Sequence, residues 1–191
     1  MVSEVESMTN NQKFGIFCVL SAAGFALWTI GKYWLADVHY ANGQKNYQFF
    51  TKTQDSKYLV SSFQSLQSAV KINPSEPAIL SEYAVVAAYL SSAVATKDIA
   101  LTAATRAITL SPHHPNYYKS AARVYILLSD LPSAAEVLTQ AAQISPTDPR
   151  LPYNLGLIYK AINATPTATL YFQKTLELKP DFPDAQKQLD N

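Results

Sequence analysis

The hydrophobic pattern divides the chain into two unlike parts. From Phe14 to Ile30, 17 residues pass without a charge, and the apolar run resumes after Gly31 and Lys32 to end at Ala36. As a helix these 23 residues would be roughly 34 Å long, enough for a hydrocarbon core of ~30 Å. Lys32 lies near the end, where a long stem lets the ammonium reach the headgroups, and Tyr33 and Trp34 suit the interfacial aromatic belt. Beyond Ala36 the apolar residues recur at helical spacing: Phe63, Leu66, Ala69 and Val70, then Ala100, Ala104, Ala107 and Leu110, then Ala134, Leu138 and Ala141. Such stripes predict helices that each bury one face. The expected class is all-α.

The long apolar run has three readings: a retained membrane span, a cleaved signal peptide, or a core helix. The leading region carries Glu4 and Glu6 rather than a basic cluster, and the run exceeds the ~7–15 residues of a signal h-region. A retained span over 14–36, preceded by a polar segment 1–13, is the reading adopted.

Prolines punctuate everything that follows. Pro74, Pro112, Pro146 and Pro180 are separated by 38, 34 and 34 residues. Each has a second proline three positions later: Pro77, Pro115, Pro149 and Pro183. The preceding stretches AVKINP, AITLSP, AAQISP and TLELKP also align. A proline past one helix end and another opening the next helix mark successive helix pairs.

A period of 34 residues resembles the tetratricopeptide repeat (TPR) family. In the last unit Leu155, Gly156 and Tyr159 occupy the L-G-x-x-Y positions, Ala168 and Phe172 the A-x-x-x-F pair, and Pro180 closes the unit. Ala121, Ala122 and Tyr125 replace the first triplet one unit earlier, followed by Ala134, Leu138, Ala141 and Pro146. The resemblance spans roughly residues 40–183 and implies an α-solenoid of about four helix pairs. The expected layout is a degenerate first repeat over 37–74, three units over 75–183, and a capping tail over 184–191. Four extra residues in the second unit are expected in the turn near Ser91–Lys97. The first repeat's opening helix, from Asp37 to Phe50, is expected to be continuous or nearly so with the span, since no Gly/Ser-rich linker intervenes.

Composition removes several function classes. Lys+Arg 15 against Asp+Glu 14 excludes a strongly basic nucleic-acid surface. A single cysteine, Cys18, excludes a disulfide framework and a Cys-based zinc cluster. Gly accounts for 5 of 191 residues, and neither G-x-G-x-x-G nor G-x-x-x-x-G-K-[ST] occurs. The adjacent His113 and His114 have no third ligand in sequence and read as a polar turn. No G-x-S-x-G occurs, His39 sits on an apolar helix, and the acids are scattered singly. No catalytic, cofactor or metal site is expected. Asn163 opens an N-A-T sequon, relevant only in a eukaryotic secretory compartment.

In the resembled family the first helix of each unit lines a concave groove. Lys119 and Arg123 are spaced i, i+4 and share a face there, while Arg150 and Lys160 fall at the two ends of the next such helix. Together they form a candidate basic stripe for an acidic protein or peptide partner. The asparagines of a carboxylate clamp are missing from the earlier units. Tyr118, or its neighbour Tyr117, is a candidate groove anchor, with packing as the alternative role.

The stretch YWLADVHYANGQKNYQ, with KINPSEP, SPTDP, PYNLGLIY and TLELKPDF further on, resembles the last membrane helix and TPR tail of bacterial O-antigen ligase and polysaccharide polymerase-type proteins. The expected function is a non-catalytic, membrane-anchored scaffold for protein–protein interaction. The alternatives are a C-terminal fragment or accessory of such a surface-glycan enzyme, and a translocon-associated or chaperone-like repeat protein. Lys32, Lys45, Lys52 and Lys57 on one side favour a cytoplasmic repeat array by the positive-inside rule, whereas the family resemblance favours an extracytoplasmic one.

Overall fold

The computed structural model describes residues 9–190, and most of the 1–13 polar segment therefore lies outside the described residues. These residues form nine helices and no strand. In chain order they are α1 (Asn10–Thr53), α2 (Ser56–Ile72), α3 (Pro77–Leu90), α4 (Lys97–Leu110), α5 (Pro115–Leu127), α6 (Leu131–Ile144), α7 (Arg150–Ala161), α8 (Thr165–Leu178) and α9 (Pro183–Asp190).

Local chemistry sets the helix ends. Thr9 and Gln12 form a reciprocal capping box at the start of α1. Asp55 and Asp130 cap α2 and α6 by accepting from the Lys57 and Ser133 amides. Pro77, Pro115 and Pro183 are the first residues of α3, α5 and α9, where a missing N–H is harmless. Pro149 is the N-cap of α7, and Pro74, Pro112 and Pro146 lie in the preceding turns. Ser129 and Asn163 both take left-handed backbone, at φ 62° and 59°, in the turns of two successive units. Asn accepts that region more readily than most residues.

The helices pack as antiparallel neighbours: α1 on α2, α3 on α4, α5 on α6, α7 on α8. Successive pairs meet through α2 with α3, α3 and α4 with α5, and α6 with α7. Small residues let the axes approach: Ala84, Ala87 and Ala88 on α3, Ala100, Ala103, Ala104 and Ala107 on α4, Ala134 and Ala141 on α6. Large side chains fill the seams, among them Leu66, Leu138, Leu151, Leu155 and Phe172. Helix α3, enclosed by neighbours, is buried nearly all round. The insertion in the second unit is the turn Ser91–Thr96, held where the buried Thr96 hydroxyl donates to the Ala87 carbonyl at 2.7 Å.

Helix α1 runs unbroken through both parts of the sequence pattern. Its C-terminal half buries Ala36, Gly43 and Tyr47 against the repeats, a single helical face. Its N-terminal half is long and apolar enough to cross a membrane, and none of that apolar window is buried within the chain. At the far end α9 packs on α8 with Ala185 fully buried, and Phe182 sits 5.0 Å from the Tyr153 ring, centroid to centroid.

Candidate functional site: the groove between α5 and α7

Helices α5 and α7 stand side by side over α6, and a recess of about 410 Å³ opens between them. Its walls are Ala122 and Ile126 from α5 and Leu157, Ile158 and Ala161 from α7, with Leu131 and Leu138 of α6 below. Ile126 is 43% exposed and Leu157 37%, so two large apolar side chains remain at the rim. Asn154 is a polar group on the α7 side, and Lys119 and Arg123 edge the α5 side.

The same two cations border a second, more polar recess of about 270 Å³, lined also by Tyr47, Ser81, Glu82, Val85 and Ser120. Here Arg123 donates to the Tyr89 hydroxyl at 3.0 Å and lies 5.7 Å and 5.5 Å from the Tyr47 and Tyr89 ring centroids. Both contacts are of cation–π type. Burial pushes the Glu82 carboxyl above its usual range, against the pull of Gln44 and Arg123. Burial, with the Glu82 charge adding to it, also raises Tyr40 to about 12. The Tyr47 hydroxyl lies beside Tyr89 and its titration is raised by burial, yet it makes no hydrogen bond of good geometry.

The four cations predicted as one stripe are divided. Lys119 and Arg123 come together at the groove. Lys119 is tied at 3.2 Å to Asp148, whose other oxygen accepts from Arg150 at 2.9 Å. Arg150 is thus turned onto its own turn, not into the groove. Lys160 is exposed and donates to Gln188 of α9 at 2.8 Å, outside the recess. Tyr118 is only 7% exposed and donates to the Pro112 carbonyl at 3.0 Å. It is a packing residue, because its ring fills the α5–α6–α7 core cluster. Tyr117 stacks with His114 at 4.6 Å, and His113 and His114 are exposed in their turn. Among the described residues no group of three or more His, Cys, Asp or Glu side chains is placed to hold a metal ion.

Sequence reasoning missed Asp148, Tyr47, Tyr89 and the apolar rim. The 34-residue stride carried part of the signal: Tyr89, Arg123 and Leu157 are equivalent positions, and the first two touch across it.

Neither a family model nor a curated protein matches this sequence. Solved structures do. A Pseudomonas aeruginosa pilF structure aligns at TM-score 0.64 with 19% identity, over 83% of this chain and 68% of that one. A structure of MamA aligns at 0.61 with 17% identity, over 81% and 79%. YrrB, described as a TPR protein with an unusual peptide-binding site, aligns at 0.62 with 15% identity, over 82% and 75%. The fold is a TPR-type α-solenoid. The resemblance to O-antigen ligase and polymerase tails finds no support in these comparisons.

The Asp148 junction links two units of the solenoid and gives it a measurable acid response. The Arg150 guanidinium, and behind it Lys119, hold the Asp148 carboxyl down to about 2 from an ordinary 3.8. A carboxyl depressed in the folded state stabilises fully above its unfolded value and loses that contribution as pH falls through the folded one. The junction therefore contributes on the order of 2 kcal/mol above about pH 4, and this vanishes towards pH 2. Asp148→Asn should melt several degrees below the parent at pH 7, the two curves converging near pH 2. A constant gap across that range would contradict the assignment.

Proposed function

We propose that the chain is a membrane-anchored scaffold that holds a peptide segment of a protein partner in the groove between α5 and α7. The observation that carries this reading is the apolar recess with Ile126 and Leu157 at its rim and Arg123 beside it. An apolar side chain would enter the recess while a neighbouring carboxylate meets Arg123 and, in part, Lys119. The unpartnered Tyr47 hydroxyl is a further donor on the same side. Peptide binding by YrrB supports this use of the fold. Anchoring by residues 14–36 is supported by the length of the unburied apolar stretch and by its continuity with a helix whose later residues are buried in the first repeat. The accessory role beside a surface-glycan enzyme and the translocon or chaperone-like role would use the same groove.

The test is selection of random peptides on the full chain in detergent. Retrieved peptides should pair a large apolar residue with an adjacent Asp or Glu. Arg123→Glu should weaken them tenfold or more, as loss of a charge-assisted hydrogen bond does, and Leu157→Asp should weaken them comparably, with helicity unchanged. Peptides lacking an acid, or binding indifferent to both substitutions, would refute the site.

A further inference from the structure

The repeat array begins where α1 leaves its apolar stretch, and that junction has an unusual charge arrangement. Helix α2 runs antiparallel to α1: the Ser62 hydroxyl donates to the Gly43 carbonyl at 2.8 Å, and further down Ala36 clusters with Ala69 and Ile79. This register brings the last turn of α2 beside Trp28, Gly31, Lys32 and Leu35 of α1. The result is a recess of about 540 Å³ lined by those four residues with Lys71 and Ile72. Two cations line it and no acid does. The Lys32 ammonium stands 5.7 Å from the Trp28 ring, and neither lysine has an ion pair among the described residues. Lys71 in the last turn of α2 complements that helix's carbonyl end. That accounts for one cation, not for the convergence of two on an apolar wall.

Depth gives the arrangement its meaning. From Lys13 to Lys32 the helix rises about 28 Å, close to the thickness of a hydrocarbon core. With the span in place, Lys32 stands at the headgroup boundary on the array side, and Lys71 and Ile72 stand with it. We infer that Lys32 and Lys71 hold the phosphate of an anionic phospholipid, with Trp28, Leu35 and Ile72 against its glycerol and upper acyl region. The first repeat is thereby seated on the bilayer rather than held above it. Lysines at an anionic surface each favour such lipid, and the aromatic and aliphatic wall selects a lipid over a free anion. This rests on the anchored-scaffold reading.

The full chain in mild detergent is titrated with phosphatidylglycerol or phosphatidylcholine, and bound lipid is counted by native mass spectrometry. One phosphatidylglycerol should be retained in preference. Lys71→Gln and Lys32→Gln should each weaken it about fivefold, the worth of one lysine near such a surface, leaving phosphatidylcholine unaffected. Arg106→Gln, on exposed α4, should change nothing. Inorganic phosphate should not compete. Equal retention of the two lipids, indifference to Lys71→Gln, or displacement by phosphate would each overturn the site. A chain that fails to enter vesicles at all would overturn the anchored reading with it, whereas one that enters without discriminating would overturn the lipid site alone.

Discussion

Phe172→Ala lowers the stability of the last repeat by roughly 3–5 kcal/mol, the usual cost of emptying a buried phenylalanine site. Phe172 is 2% exposed, and its ring lies 5.9 Å from that of Tyr153. It fills the space above Gly156, where an added Cβ would fall 2.5 Å from the ring. Gly156→Ala alone sets a helix-propensity gain of ~1 kcal/mol against overpacking of ~1–3 kcal/mol. It is destabilising while Phe172 is present. In the Phe172→Ala background the ring is gone, the propensity gain remains, and Gly156→Ala becomes stabilising. A double-mutant cycle in urea should show that reversal of sign. Hydrogen exchange should place the loss in α7, α8 and α9, because stability in a solenoid is set between neighbours. Equal loosening of every helix would contradict a stack of local contacts.

Leu66→Ala is the second large effect, at roughly 2–5 kcal/mol. Leu66 is fully buried between α1 and the repeats, and a Cβ on Gly43 would stand 2.6 Å from its Cγ. Gly43 and Leu66 make the same kind of close crossing as Gly156 and Phe172, at the junction where α1 becomes part of the array. The variant should free α2 and loosen α3, which shares its core cluster, and leave α7 to α9 protected from exchange. Uniform protection across α2 would place the weight of that junction elsewhere.

The solenoid was legible because its signals are local and repeated. Prolines at a 34-residue stride, alanines at i, i+3 and i+4, and the Gly156–Phe172 pair each report one helix end or one seam. The continuity of α1 was also readable, since nothing between Ala36 and Asp37 breaks a helix. The groove was less so. Lys119 and Arg123 were visible as an i, i+4 pair, but their electrostatic state depends on Asp148, 29 residues from Lys119 in sequence, and on Tyr47 and Tyr89 from two other helices. Periodicity says which face a residue occupies, not which neighbour the next repeat brings to it. Tyr118 illustrates the same gap. Its place in α5 was readable, while its burial depends on packing across α6 and α7.

The central claim is that one unbroken helix is both membrane anchor and first repeat helix, so that the array stands at a fixed pose on the bilayer. The native Cys18 is the single cysteine and is exposed on the apolar half of α1, which gives a ready labelling site. Spin labels at Cys18 and at Arg106→Cys, on exposed α4, can be measured with the full chain in lipid nanodiscs. The account predicts that the Cys18 label is reached by oxygen and shielded from a water-soluble nickel chelate, with a single narrow distance distribution to the second label. A nickel-accessible Cys18, or a distribution spread over tens of ångströms, would contradict it.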